Sequence, residues 1–257
     1  MTSALRGEGT GRGIAAAVFD LDGLLADTEP IWHEVEIDIF GRHGVPLTVS
    51  RCLETKGMFL GDAVEHWYAQ YPWPDASPQE VAEEIVDAMV ARVESAVKPK
   101  AGALGALDFC ESRGARLALA SSSAQRLIDA VVQRLGLHER FAVMRSAEDE
   151  PAGKPHPGIF ITTARLLEVE PAACVVFEDS PAGVLAAKAA GMVCVAVPEA
   201  DDARTQGNEA LASVFERADI VLASLEDLGA AVWSRAVACS QARPARGMLK
   251  EVPGPGV

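Results

Sequence analysis

The stretch that most constrains this chain is an apolar run, Ile14 to Phe19, that delivers two carboxylates, Asp20 and Asp22, and ends at Gly23. The run has the length and apolar character of a buried strand. In a parallel sheet, ligands bind beyond the carboxyl ends of the strands, which is where Asp20 and Asp22 would stand. Two acids this close repel unless something positive lies between them. A divalent metal answers that need, and oxygen ligands suit Mg²⁺. A carboxylate beside such an ion can also act as a nucleophile, as in aspartyl-phosphate chemistry. An acidic turn after a strand accounts for the same residues equally well, so the reading depends on partners further along the chain.

Composition narrows the field. A chain of 257 residues with 49% hydrophobic and 23% charged residues is that of a globular protein, with room for one large domain or a domain plus an insert. Its formal net charge of -14 argues against nucleic acid and anionic membranes as partners. A negative protein that binds phosphate needs local positive sources: a metal, a lysine or helix N-termini. The cysteines, Cys52, Cys110, Cys174, Cys194 and Cys239, are scattered and odd in number. They predict free thiols in a reducing compartment, and therefore a cytoplasmic protein. Residues 1–13 are polar and glycine-rich, carry no apolar signal segment and are expected to be disordered. No apolar stretch reaches the length of a membrane span.

After the first strand the alternation of strand and helix stops. Residues 30–98 carry only helical patterns, over 31–43, about 60–71, and a third that starts at Ser77-Pro78-Gln79-Glu80. That start is a capping box with proline at the first helical position. Its apolar stripe is Val81, Ile85, Met89, Val93 and Val97. The block reads as a helical cap domain. From Pro99 the rhythm resumes, with strands expected over 116–120, 141–145, 174–177, 193–197 and 220–222. Helices are expected over 104–113, 124–135, 158–167, 181–190 and about 225–238. This alternation predicts an α/β fold with a doubly wound parallel sheet. The expected domains are a core over 14–29 and 99–238, the cap over 30–98, and a disordered tail over 239–257.

Three further features fall at strand ends. Ser121-Ser122-Ser123 joins a strand to a helix, where a hydroxyl and free amides form an anion site; Ser123 as a plain helix N-cap fits as well. Gly153-Lys154-Pro155-His156-Pro157 fixes the backbone around one lysine, which suits a side chain that must point at one place, though a solvated loop has the same composition. Glu178-Asp179-Ser180 follows a strand. Asp179 is a candidate to join Asp20 on a metal, or the acids serve the helix dipole, with Ser180 as N-cap and Pro181 at the first helical position.

Together, Asp20-Leu21-Asp22-Gly23, Ser121, Lys154 and Glu178-Asp179, in this order and with a helical insert after the first motif, resemble the haloacid dehalogenase superfamily in its Mg²⁺-dependent phosphotransfer branch. The resemblance spans residues 14 to about 233. Residues 19–32, 154–160 and 177–192 look like the phosphatase subgroup that acts on hexitol phosphates and 2-deoxyglucose 6-phosphate. The neighbouring β-phosphoglucomutase subgroup shares most of this pattern.

The resemblance implies that Asp20 attacks phosphorus and forms a phospho-aspartate. Asp22 then protonates the leaving oxygen and later activates water. Ser121, Ser122 and Lys154 would hold the phosphoryl group, and Lys154 would also neutralise Asp20. Asp20, Asp22 (through its carbonyl) and Asp179 would bind Mg²⁺, with Glu178 helping directly or through water. Specificity would lie in the cap, with Glu29, His33 and Lys56 as substrate candidates and Glu54, Thr55, Trp67 and Tyr68 beside them. In relatives a basic residue closely follows the glycine matching Gly57; here Met58, Phe59 and Leu60 stand there. The expected activity is hydrolysis of sugar or polyol monophosphates by a monomer or weak homodimer. The alternatives are a phosphosugar mutase, a dehalogenase and a sugar-phosphate binding module without catalysis.

Overall fold

The computed structural model describes residues 13–199 and 213–243. The disorder expected for residues 1–12 and 244–257 lies outside that range.

Six strands form one parallel sheet in the order β3-β2-β1-β4-β5-β6. They are β1 (Ala16–Phe19), β2 (Arg116–Ser121), β3 (Val143–Ser146), β4 (Cys174–Glu178), β5 (Val193–Ala196) and β6 (Ile220–Val221). The central strands are buried on both faces, as parallel strands covered by helices must be. β1 lies between β2 and β4, so the chain leaves it in opposite directions and opens a crevice at its carboxyl end. The predicted doubly wound fold is thus observed.

The helices are α1 (Glu29–Arg42), α2 (Val49–Cys52), α3 (Leu60–Gln70), α4 (Pro78–Ala96), α5 (Ala103–Ser112), α6 (Gln125–Leu135), α7 (Gly158–Leu166), α8 (Pro181–Ala189) and α9 (Ala230–Gln241). Two-residue alternation sends Ala17, Phe19, Leu119, Val175 and Phe177 into one apolar layer and Val18, Ala118, Ala120 and Val176 into the other. Phe19 and Phe177 stack with ring centroids 4.6 Å apart.

Helices α1–α4 form the insert. The capping box of α4 is present in full, with Ser77 Oγ accepting from the Glu80 amide and Glu80 Oε2 accepting from the Ser77 amide. Val81, Ile85, Met89 and Val93 are buried on its inner face. The insert is tied to the sheet-bearing part by paired crossings: the Asp27 amide donates to Lys98 O and the Lys100 amide to Leu25 O, each at 2.9 Å. Where α4 packs on α6, Arg126 pairs with Glu83 and Asp87.

Some boundaries differ from those read in the sequence. Ser121 belongs to β2 because it pairs in register with Ser146. The one-turn helix α2 is an addition, too short to show periodicity. α6 begins at Gln125, so its N-cap is Ala124 and Ser123 is not the cap; Glu148 Oε2 instead accepts from the Gln125 amide at 2.7 Å. Residues 239–241, expected to belong to the tail, continue α9. Ser240 Oγ donates to Ala172 O at 2.6 Å, and Arg243 Nη2 donates to Met192 O and Asp219 Oδ2. Such tertiary anchors leave no mark on composition.

Candidate active site

The site is built on one row across three strands. Phe19 is in register with Leu119 and Phe177, so the next row holds Asp20, Ala120 and Glu178. Lys154, from the loop before α7, lays its ammonium on that row. Nζ donates to Asp20 Oδ1 at 2.6 Å, to Ala120 O at 3.0 Å and to Glu178 Oε1 at 2.5 Å. Lys154 is 3% exposed and Glu178 fully buried. A lysine this deep persists as a cation only because two carboxylates hold it. Burial opposes its charge, but Asp20 and Glu178 more than offset that and raise its pKa.

Asp20 and Asp22 stand in contrasting surroundings. Burial pushes the Asp20 carboxyl up to about 7, against the pull of Lys154, with Glu178 and Asp22 adding to the rise. Asp22 is held by neutral donors. Its Oδ1 accepts from Thr28 Oγ1 at 2.8 Å and Trp32 Nε1 at 3.1 Å. Its Oδ2 accepts from Ser123 Oγ at 2.7 Å and Ser121 Oγ at 3.3 Å. Three of these donors, Thr28, Trp32 and Ser123, carry no such role in the sequence reading. An alcohol or indole N–H has no spacing signature toward a carboxylate in another segment of the chain.

Asp179 comes to the same place from the turn after β4. It is 1% exposed, and its Oδ2 accepts no hydrogen bond of good geometry among the described residues. The nearest cation is Lys56 of the insert, with Nζ 3.2 Å from Oδ2, 3.3 Å from Glu199 Oε2 and 3.8 Å from Glu29 Oε1. Burial raises Asp179 to about 7, Lys56 lowers it, and Asp20 and Glu199 raise it again. Gly23, at φ 74°, lets the chain pass against Asp179; a Cβ there would overlap Oδ2.

Glu178 is not free for a metal. Oε1 accepts from Lys154, and Oε2 accepts from the Ser180 amide at 3.2 Å and Ser180 Oγ at 3.0 Å. The sequence reading has it help the metal directly or through water; here both carboxylate oxygens are engaged by Lys154 and Ser180. Ser180 does cap α8, accepting from the Gly183 amide at 3.0 Å. Ser122 lines the cavity, but its hydroxyl donates to Gly57 O at 3.0 Å, joining the sheet-bearing part to the insert.

A cavity of about 70 Å³ lies between the strand ends and the insert, and Asp20, Asp22, Asp179, Ser121, Ser122 and Ser123 open onto it. The insert lines it with Glu29, His33, Lys56 and Thr55, the substrate candidates of the sequence reading, and also with Trp32, Glu36 and Cys52, which that reading does not assign to the site. His33 Nε2 sits 3.6 Å from Glu29 Oε2. Trp67, by contrast, is fully buried under the Arg51 guanidinium, whose Cζ is 4.5 Å from the ring centroid, and Tyr68 packs edge-on against Trp73. Both belong to the core of the insert, and Glu54 pairs with Arg51. Phe59 shields the Lys154 loop, lying against Gly153.

The donor set suits a hard cation. Asp20 and Asp179 are two carboxylates raised chiefly by burial, with the charge of Asp20 adding to the rise at Asp179, and one oxygen of Asp179 lacks an aligned donor. Among the described residues no three His, Cys, Asp or Glu side chains cluster as a metal site; a two-carboxylate set would be completed by a main-chain oxygen. All five cysteines are unpaired, and no helix of the described residues is long and apolar enough to cross a membrane.

Comparison with known proteins agrees with this geometry. The model of the haloacid dehalogenase-like hydrolases matches residues 14–191. Hexitol phosphatase B of Escherichia coli (strain K12) is 36% identical over 222 residues, 86% of this chain and 97% of its own length. The phosphorylated carbohydrates phosphatase of Thermotoga maritima is 32% identical over 177 residues, 69% of this chain and 82% of its own. The crystal structure of β-phosphoglucomutase from Clostridium difficile shares the fold, with a TM-score of 0.74 at 24% identity over 88% of this chain and 97% of that one. The family implied by the ordered motifs is therefore the family found: this chain is an enzyme of the haloacid dehalogenase-like hydrolases.

Proposed function

We propose that this enzyme is a Mg²⁺-dependent phosphatase that hydrolyses sugar or polyol monophosphates through a phospho-aspartate on Asp20. The observation that carries the reading is the contrast between its two front carboxylates. Asp20 is paired with a buried ammonium, and Asp22 is held by four neutral donors. Two acids in one cavity with different environments divide into nucleophile and acid–base.

Lys154 fixes Asp20 Oδ1, which leaves Oδ2 to attack phosphorus. The phosphorus–ester oxygen bond breaks as the new bond to Asp20 forms, and Asp22 gives its proton to the departing alcohol. Asp22 then takes a proton from water, the resulting hydroxide attacks phosphorus, and phosphate leaves Asp20 restored. Ser121 and the amides that follow it would hold the phosphoryl oxygens, and Lys154 would offset the charge on Asp20 throughout. Asp20, Asp179 and the main-chain carbonyl of Asp22 would hold Mg²⁺, which when bound supplies charge neutralisation for the phosphoryl oxygens. Glu178 orients Lys154.

The hexitol and carbohydrate phosphatases among the relatives support a polyhydroxylated leaving group. Hydrolysis is favoured over mutase chemistry because a bisphosphate needs a second cationic site in the cap. Among the described residues, Lys56 is the only Lys or Arg lining the cavity, and it already faces three acids. A cavity of about 70 Å³ is far below the roughly 300–1,000 Å³ of pockets that hold small ligands. Residues 30–98 would therefore act as a cap that opens for substrate and closes for chemistry.

The test is phosphate release from hexose, pentose and polyol monophosphates, with and without Mg²⁺, by wild type and Asp20→Asn. The reading requires Mg²⁺-dependent turnover in the first and none in the second. On β-glucose 1-phosphate, isomer forming faster than phosphate, and only after bisphosphate is added, would establish the mutase instead.

A further inference from the structure

Helix α1 turns a polar stripe toward the cavity. Glu29, Trp32, His33 and Glu36 all line it, at the i, i+3, i+4, i+7 spacing that places side chains on one helix face. Trp32 fixes the direction of that stripe, because its Nε1 donates to the Asp22 carboxylate at 3.1 Å. Glu36 stands one turn further from Asp22, about 6 Å along the axis. It is 9% exposed, and among the described residues no Lys or Arg pairs with it. The Cys52 thiol of α2 faces its carboxyl.

This is an uneconomical way to fill a core. A buried carboxyl loses solvation, and a thiol is a weak donor that restores little of it. The neighbouring α1 positions that face inward are Val35, Ile39 and Phe40, so a leucine or methionine at 36 would fit the same layer at lower cost. The carboxyl makes sense if a ligand completes it. The same cavity is also lined by Cys52, Thr55, Leu60 and Ala63, small or apolar side chains that bring no charge of their own.

We propose that Glu36 is a specificity-determining residue of the leaving-group subsite, where its carboxyl hydrogen-bonds a hydroxyl of the substrate remote from the phosphoryl group. This rests on the phosphatase reading above, since it takes the phosphoryl group to lie at Asp20 and the rest of the substrate to extend past Trp32. Burial, set against the facing Cys52 thiol, pushes Glu36 up to about 7. The protonated form is therefore well populated at neutral pH. A protonated carboxyl offers one donor and an acceptor, the same pair a sugar or polyol hydroxyl presents.

The experiment uses the full chain with Mg²⁺ and two substrates: glucitol 6-phosphate, which carries hydroxyls along its length, and p-nitrophenyl phosphate, which carries none. Glu36→Leu should lower kcat/KM for glucitol 6-phosphate at least tenfold and leave p-nitrophenyl phosphate within about threefold. Glu36→Gln keeps a donor and an acceptor in the same volume; it should hold the ratio of the two within about threefold of wild type. A leucine variant that loses both substrates equally, or neither, overturns the proposal, as does a glutamine variant whose ratio falls as far as that of leucine. If wild type itself fails to prefer any hydroxylated phosphate over p-nitrophenyl phosphate, the phosphatase reading for sugars and polyols is what fails.

Discussion

Lys56, from the helical insert, rests its ammonium 3.2 Å from Oδ2 of Asp179, the buried core oxygen that lacks an aligned hydrogen bond. The same ammonium faces Glu199, whose other oxygen engages Lys100, and Lys100 pairs with Asp27. A line of alternating charges thus runs from the proposed cation site to both chain crossings. A divalent cation at Asp179 and the Lys56 ammonium would compete for one oxygen. Lys56→Met should therefore tighten Mg²⁺ binding to the substrate-free enzyme, by up to about tenfold or roughly 1.4 kcal/mol. Asp179→Asn should weaken it at least tenfold. Titration calorimetry without substrate measures both, and weaker binding by the Lys56 variant would rule out competition.

The four donors on Asp22 come from separate segments, and two of them can be removed with little change in shape. Trp32→Phe deletes the indole N–H and keeps an aromatic ring; Ser123→Ala deletes one hydroxyl. A hydrogen bond to a charged group contributes about 1.5–3 kcal/mol. Each variant should lower kcat roughly tenfold to a hundredfold, with KM within about twofold. The double variant should fall short of the product of the two, because both act on one carboxylate. Steady-state kinetics at saturating Mg²⁺ tests this. An effect confined to KM would mean that these groups bind substrate and do not position Asp22.

The sheet and the strand-end acids are legible in the sequence because apolar runs, capping boxes and glycine stops are local signals. Ser121, Lys154 and Asp179 are legible as members of an ordered set of motifs. Glu178 is read as helping a metal directly or through water. Its actual partners, Lys154 and Ser180, are fixed by the register of β4 against β1 and by the α8 turn, which no spacing rule reveals. Ser123 resembles a cap because it precedes a helix, and only the tertiary contact with Asp22 distinguishes the two roles. Glu36 differs from these, because its signal is local. Glu29, Trp32, His33 and Glu36 share one helical face, and a polar stripe beside the inward apolar positions Ile31, Val35 and Ile39 can be read from residue order alone.

Glu36 also makes stability depend on pH. Its ordinary value is 4.5, and burial moves it to about 7 in the folded chain. An acid with a raised folded pKa holds its proton more tightly when folded. Its contribution is complete below pH 4.5 and is lost as pH rises to 7 and a little beyond. The loss amounts to at most about 3 kcal/mol for a shift of this size. Glu36→Gln carries no such charge, and Cys52, the group facing it from α2, remains a thiol throughout because burial raises it further. The melting temperature of Glu36→Gln relative to wild type should therefore rise between about pH 5 and pH 8, by up to roughly 6–12 °C for a chain of this size. Buried Asp20 and Asp179 act in the same direction in both proteins and cancel in the comparison. Melting curves by differential scanning fluorimetry across that range decide it, and a difference that is flat with pH would refute a buried, shifted Glu36.

The support for Lys154 can be tested through a residue that touches neither substrate nor cation. Gly183, in α8, lies directly against the Glu178 carboxyl, and a Cβ at this position would overlap it. Glu178 is fully buried between Lys154 and Ser180 and has nowhere to retreat without breaking those hydrogen bonds. Gly183→Ala should therefore separate Glu178 from Lys154 and cost about 3–5 kcal/mol, the range for breaking a buried ion pair, with turnover falling as Lys154 loses its second anchor. In a Glu178→Ala background the space is already vacant. There Gly183→Ala should be neutral or stabilising by up to about 1 kcal/mol, since alanine is the better helix former. Urea unfolding of the four proteins gives the coupling directly. Equal costs in both backgrounds would show that Gly183 is required by the helix itself, and that the Glu178 carboxyl does not set the limit on its size.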